Sequence, residues 1–360
     1  MMNNWIYGVI EMIFETEKEI IDADIKVIQL EITSNCNLKC KHCRGKESRK
    51  IKEDMQFERI KEIVEFALNN SDGHGLSVVL SGGEPLLHHE LEKILVYCAE
   101  KNIRTEITTN GTLINNEICE LLRINKVAGV SVSLDSYIDN KHDAFRGVRG
   151  AYKNTINGIQ LLVKYGITTN IRTTISRSNY REAEYIVKLA KNLGVNSVSI
   201  GPIMPVGNAR TIRNDMFEKP DEFEDFITFC YSLKEKYKQN MEVLVHECLA
   251  SLYEIKENKY YYSKDMIIDG CSAGISSFNV LINGDITPCS MFHKRILNIY
   301  QSENWQKDYE NSNIVRNILE RNYYGKCGTC NLKEYCGGCR VRAEYYNGTY
   351  LGSDPLCYLK

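Results

Sequence analysis

Six short runs rich in β-branched and apolar residues, at 27–32, 76–80, 104–108, 129–134, 168–174 and 197–200, alternate with segments of helical apolar spacing at 57–69, 90–101, 115–123, 151–165 and 181–193. Nothing else in the chain restricts the fold as much. Each helical segment is long enough to cross over a sheet and return to a parallel neighbour, and many end on Gly or Asn, as helix C-termini do. The repeat predicts an α/β fold with a parallel sheet, open or curved into part of a barrel, and ligands at the carboxyl ends of its strands.

The repeat stops near residue 200, where Gly201-Pro202 and the stretch from Pro205 to Gly207 read as loop. One more helix is expected at 221–238 and a strand at 241–246. From about residue 267 the texture changes. The runs 278–282 and 285–287 flank Asn283-Gly284 and read as a hairpin with a two-residue turn, and cysteines become dense. A boundary is expected between 240 and 267. The ~90 residues beyond it hold too few apolar side chains for a large core, so bound metal is expected to hold them together.

With 45 Lys+Arg against 47 Asp+Glu the formal charge is −2, which gives no field for nucleic-acid binding. No window approaches the ~18 apolar residues of a membrane span, and the start shows neither a basic first region nor a cleavage site. A cytoplasmic protein with no membrane or nucleic-acid partner is expected. In a reducing compartment its 14 cysteines serve metals or catalysis rather than disulfides.

Those cysteines fall into patterns. Cys36, Cys40 and Cys43 form C-x3-C-x2-C directly after the first predicted strand, at the mouth of the repeat. Three thiolates on one loop hold three irons of a cubane and leave the fourth for a non-protein ligand. A three-cysteine zinc site or simply buried thiols is the alternative. After the second strand, Ser81-Gly82-Gly83-Glu84-Pro85 lets backbone approach a ligand closely and offers Glu84 to a cationic amine. In the tail stand Cys271 and Cys289, then Cys327, Cys330, Cys336 and Cys339 as C-x2-C-x5-C-x2-C, then Cys357. Cys98, Cys119 and Cys230 lie on helical apolar faces and read as core.

These residues resemble the radical S-adenosylmethionine superfamily over most of the chain. The resemblance implies a partial (β/α)6 TIM-like barrel at 26–215 after an N-terminal extension at 1–25, then a helical linker at 216–266 and a SPASM auxiliary-cluster domain at 267–360. It implies a [4Fe–4S] cluster on Cys36, Cys40 and Cys43, whose open iron takes the amine and carboxylate of S-adenosylmethionine. Gly82, Gly83 and Glu84 would then meet the methionine amino group, Ser133 and Arg146 the ribose and carboxylate, and Asn110 would face the ligand from the next strand end. His42 stands where relatives set a side chain against the adenine, or else is a solvated loop histidine.

In the tail, Cys271, twelve residues, Gly284, four residues, Cys289 matches the SPASM pattern. The later run has one residue fewer in its last gap, since Gly337-Gly338 stands between Cys336 and Cys339. By resemblance Cys271, Cys289 and Cys339 hold an inner auxiliary [4Fe–4S] cluster, with Cys248 a distant candidate for a fourth ligand, and Cys327, Cys330, Cys336 and Cys357 hold an outer one. The implied reaction is reductive cleavage of S-adenosylmethionine to a 5'-deoxyadenosyl radical, which takes a hydrogen from a peptide or protein side chain. The short Gly337-Gly338 gap also recurs in relatives acting on haem precursors, so tetrapyrrole side-chain decarboxylation or oxidation is the alternative. Ser290 argues against sulfatase maturation. A non-catalytic iron–sulfur or zinc protein is the reading from another class. Implied partners are the peptide or small-molecule substrate, a reducing flavodoxin or ferredoxin, and a separate leader-peptide-binding protein, because ~25 residues before the first strand are too few for a recognition domain. The basic run Lys39 to Lys52 is expected to steer an acidic partner or to be simply solvated. Tyr260-Tyr261-Tyr262 is expected to pack between domains or to wall the substrate site.

Overall fold

A computed structural model describes residues 25–45, 50–71, 75–257 and 270–359. Residues 1–24 of the N-terminal extension, Lys46, Arg49 and the Tyr260 to Tyr262 run lie outside the described residues. All six expected strands form: β1 (Val27–Thr33), β2 (Ser77–Gly82), β3 (Arg104–Thr109), β4 (Gly129–Ser133), β5 (Thr169–Ile175) and β6 (Ser197–Pro202). The helices between them are α1 (Phe57–Asn69), α2 (Leu91–Glu100), α3 (Asn116–Ile124), α4 (Asp139–Arg146), α5 (Ala151–Lys164) and α6 (Ala183–Leu193). The β-branched runs pair as parallel neighbours in chain order. The helices lay apolar stripes such as Ile60, Ile63, Val64 and Ala67 of α1 against them, and these residues are fully buried.

The segment expected as a helical linker belongs to the same layer. After α7 (Pro220–Tyr237), strand β7 (Glu242–Val245) pairs parallel with β6, and α8 (Ala250–Lys256) follows. The tail then joins the opposite edge. Strand β8 (Ser277–Val280) lies parallel to β1, and β9 (Asp285–Thr287) and β10 (Leu297–Asn298) continue antiparallel, giving the order β10-β9-β8-β1-β2-β3-β4-β5-β6-β7. The first part of the tail thus shares the barrel's core: Phe278 and Trp305 both pack on Phe66 of α1. Residues 325–359 differ, for their few buried apolar side chains lie beside buried Arg340, Arg342 and Asp354.

The hairpin turn differs from the expected two-residue form. Leu281 N–H donates to Asp285 O at 2.9 Å and Gly284 N–H to Leu281 O at 2.9 Å, so three residues close the loop. Only Gly284 takes a left-handed conformation, at φ +82°, whereas a two-residue Asn-Gly turn needs both residues there. Cys98, Cys119 and Cys230 are fully buried in the main core. Among the described residues no helix is long and apolar enough to cross a membrane.

Candidate active site

The loop carrying Cys36, Cys40 and Cys43 leaves the carboxyl end of β1 and is clamped by backbone from three sides. From the turn after β2, Gly83 N–H donates to Thr33 O and Glu84 N–H to Asn35 O, both at 2.7 Å. A Cβ at Gly82 would stand 2.2 Å from Thr33 O and one at Gly83 2.1 Å from Asn35 O, so only glycine permits this approach. From the end of α4, Phe145 O and Arg146 O accept from Lys41 and Lys39 N–H, and Gly147, left-handed at φ +74°, passes where a Cβ would meet Lys39 O at 2.4 Å. From the loop after β6, Asn208 donates its backbone N–H to Cys43 O and its Nδ2 to Cys40 O. The loop's shape is therefore fixed by partners that run from Gly82 to Asn208 along the chain.

Cys36, Cys40, Cys43, Gly82, Gly83, Asn110, Ser133 and Arg146 all line one cavity of about 170 Å³ at the carboxyl ends of β1 to β5. All three cysteines are free thiols, two of them buried. Arg146 is buried, pairs with Asp135 at 2.6 Å and points Nη1 at Cys40 Sγ, 3.8 Å away. Burial alone would raise the Asp135 pKa, but the Arg146 guanidinium, His42, His142 and a hydrogen bond from Thr174 N–H hold it below the usual carboxylate value. The same pair keeps Arg146 charged despite its burial. Its Nε is buried with no hydrogen-bond partner among the described residues, a donor left for a ligand. His42 lines the cavity and stacks on Phe145, with centroids 4.3 Å apart and planes within 7°.

Asn110 is partly committed: its Nδ2 donates to Asn37, and its Oδ1 accepts from Thr112. Glu84 departs from expectation. It does not line the cavity and is fully buried, with Thr109 Oγ1, Asn110 N–H and Leu86 N–H donating to its carboxylate. Burial raises its pKa against those hydrogen bonds. The turn thus offers the cavity Gly82 and Gly83, while Glu84 ties β2 to the end of β3.

Asp135 as the partner of Arg146, Asn208 beside the cysteine loop, and a pair in which Arg172 Nη2 lies 2.6 Å from His246 Nε2 belong to no periodic or spaced pattern in the sequence. The adjacent Arg172 guanidinium pushes the His246 pKa down to about 3, leaving a neutral imidazole. A signal for Asn208 was present in Gly207, whose Cβ would overlap Cys43 O.

A second cavity of about 680 Å³ shares Arg44, Gly45 and Met291 with the first and runs between the barrel mouth and the tail. Its wall mixes Val206, Phe292, Ile282 and Tyr345 with Arg44, Arg210, Lys294, Glu31 and Glu344. Two of its cations are spoken for, Arg44 by Glu31 at 2.6 Å and Lys294 by Glu344 at 3.0 Å. Of the basic run, Arg44 is held in this way rather than solvated.

The tail sorts its cysteines into two groups. Cys327, Cys330, Cys336 and Cys357 line one small cavity. Cys289 and Cys339 pack in a separate apolar cluster, with the Cys271 thiol beside them. Gly337 and Gly338, at φ +63° and +58°, make the short gap between Cys336 and Cys339. A Cβ at Gly337 would meet Arg321 and one at Gly338 would meet Arg340.

Comparison with known proteins decides the family. The model of the radical SAM superfamily matches residues 30–190. The AdoMet-dependent heme synthase of Methanosarcina barkeri is 30% identical over 345 residues, 92% of this chain and 96% of that protein. The chain belongs to the radical SAM superfamily. It is an enzyme of that superfamily with a SPASM-type, cysteine-rich tail, and the family binds S-adenosylmethionine and a [4Fe–4S] cluster. The antilisterial bacteriocin subtilosin biosynthesis protein AlbA of Bacillus subtilis is 25% identical over 320 residues, 87% of this chain and 66% of that protein. Streptococcus suis SuiB bound to precursor peptide SuiA has the same fold, with TM-score 0.74 at 20% identity, covering 94% of this chain and 76% of that one.

Proposed function

We propose that this radical SAM enzyme removes a hydrogen atom from a peptide or protein side chain held between the barrel mouth and the tail, as a step in peptide maturation. The observation that carries the reading is the charge balance of the larger cavity. Arg44 and Lys294 are already neutralised by Glu31 and Glu344, so of the wall's three Arg and Lys side chains only the charge of Arg210 is left to meet a polyanion, while its apolar and hydrogen-bonding groups suit a peptide segment. A relative named for bacteriocin biosynthesis agrees with it.

Bound at the first site, the cluster and S-adenosylmethionine supply a 5'-deoxyadenosyl radical. The chain's own residues do the rest. Cys36, Cys40 and Cys43 hold three corners of the cluster, and Arg146 Nε, buried and unpaired, is the donor for the ligand's carboxylate. Gly82 and Gly83 present backbone to its amine, Ser133 presents a hydroxyl to its ribose, and Asn110 flanks it from β3. The His42–Phe145 stack gives a flat wall for a planar base. In the tail, Cys271, Cys289 and Cys339 hold an inner auxiliary cluster and Cys327, Cys330, Cys336 and Cys357 an outer one. A flavodoxin or ferredoxin supplies the electron, and a separate protein or the barrel itself reads the leader of the peptide.

The tetrapyrrole reading is favoured by a different observation, the heme synthase matched from end to end at 30% identity. One experiment separates them. Reduced enzyme and S-adenosylmethionine are incubated anaerobically with peptides encoded beside its gene or with a porphyrin bearing propionates, and 5'-deoxyadenosine is counted with the mass of each substrate. A mass change on the peptide supports maturation. Loss of carbon dioxide from the porphyrin, with peptides untouched, overturns it in favour of the tetrapyrrole.

A further inference from the structure

We infer that Cys248 is the fourth thiolate of the inner tail site, so that Cys248, Cys271, Cys289 and Cys339 close a cubane with no open iron. The inference rests on the auxiliary-cluster reading above and goes beyond it, since that reading leaves the site one ligand short. Cys248 lies on the loop after β7, in the barrel half of the chain. Its thiol nevertheless hydrogen-bonds that of Cys339, and it packs in the cluster that contains Cys289, Cys339, Val206 and Phe292. The Cys271 and Cys289 thiols neighbour one another and Cys339. Four thiols from four separate segments thus meet in one place.

A charged network explains how a loop so far back in sequence is held there. Arg342, on the helix Arg340–Asn347, is 2% exposed and clamps Glu247 with two bonds, Nη1 to Oε2 at 2.8 Å and Nη2 to Oε1 at 2.7 Å. The same guanidinium binds Asp354 through Nε at 2.9 Å and Nη2 at 2.7 Å. Asp354 Oδ2 in turn accepts from Cys339 N–H at 2.7 Å. Burying three charges is costly and adds little net stability, so such a network is best read as a device for fixing geometry. What it fixes is Cys248, the residue after Glu247, whose Sγ lies 3.8 Å from Arg342 Nη2. The next residue, Leu249, lines the cavity of the other four cysteines, so the loop stands between the two groups.

Two consequences follow for this chain. An inner cluster held by four cysteines would have no iron free to bind substrate, and could take part only as an acceptor, reduced by the one electron that the substrate radical left by hydrogen removal loses on oxidation. The Arg342 N–H aimed at a ligating sulfur raises its reduction potential.

The test uses the full chain with Cys36, Cys40 and Cys43 all changed to Ala, purified anaerobically, so that only tail iron is counted. With Cys248 present, about eight irons are expected, four for each cubane, and cyanide leaves the EPR spectrum of the reduced protein unchanged. In the Cys248→Ala variant either about four irons remain, or eight remain and cyanide now shifts the spectrum of one cluster. Cys248→Ser, nearly the same size, is expected to keep the fold and to alter one cluster's spectrum. Iron content and spectra untouched by both substitutions, or a cyanide shift already present with Cys248 in place, overturns the ligation alone. A tail without iron in every variant overturns the ligation and the auxiliary-cluster reading together.

Discussion

The two cysteine-bearing regions are built on opposite plans. In the barrel, the loop of Cys36, Cys40 and Cys43 is held by a finished scaffold, with parallel strands beneath it and glycine-backed hydrogen bonds around it. In residues 325–359, short helices, buried arginines and Asp354 surround the cysteines and little apolar core does so. The barrel makes its site, whereas the tail would be made by the clusters proposed for it. The difference follows from where apolar surface is available: a βα repeat buries an entire sheet, and residues 325–359 bury only a few apolar side chains such as Val341, Ala343 and Leu356.

The largest expected effects break the comparison at its two ends. Changing Cys36, Cys40 or Cys43 to Ala abolishes 5'-deoxyadenosine formation and leaves the thermal unfolding of the barrel and the protease resistance of the tail near wild type. Cys336→Ala does the reverse for structure, and limited proteolysis cuts within 325–359 while the barrel fragment survives. Equal protease resistance in both variants would erase the distinction.

Next in size is Arg342→Met. It leaves Glu247 and Asp354 buried without their counter-charge, and a loss of about 3–5 kcal/mol in anaerobic denaturant unfolding is expected, confined to the tail's transition. The barrel has its own polar layer, and acid is its weak point. Burial and the nearby Arg146 charge push the His142 pKa down to about 4 from an ordinary 6.5. The unfolded chain therefore binds a proton that the folded one refuses. Stability from this group is fully present above pH 6.5 and falls by about 3 kcal/mol as pH drops from 6.5 to 4, below which it levels off. His142→Phe is expected to flatten that slope in pH-dependent unfolding of the barrel, and an unchanged slope would assign the acid lability elsewhere.

The smallest change sharpens the barrel side alone. Gly83→Ala places a methyl on Asn35 O and moves the turn and cysteine loop apart by about 1 Å, lowering 5'-deoxyadenosine formation roughly 100-fold. Iron content is expected to be retained. An active alanine variant would show that the close approach is not needed.

How far the sequence spoke also divides along this line. The parallel strands were legible because β-branched runs and 3.6-residue periods are local signals, and β1 to β6 form within a residue or two of their predicted ends. The cysteine groups were legible because spacing on a short loop is local too. The pairing of β8 with β1 was not, since its partners stand some 250 residues apart and β8 has four residues. Glu84 was misplaced because its carboxylate answers to Thr109 and Asn110, which only tertiary structure brings beneath it. Nothing in the residues around Arg342 announces Glu247 and Asp354 as its partners. Loop-to-loop contacts of this kind carry no periodicity, so Asp135 with Arg146 and Asn208 with Cys40 emerged only from the fold.

Three thiolates in the barrel are expected to hold a catalytic cluster and the tail cysteines two more. Anaerobic iron and sulfide analysis of the whole chain, run together with 5'-deoxyadenosine formation from S-adenosylmethionine under reduction, tests it most directly. About twelve irons are expected, four for each cubane, with turnover that disappears in Cys40→Ala while about eight irons remain. Zinc in place of iron, or full turnover without Cys40, would contradict it.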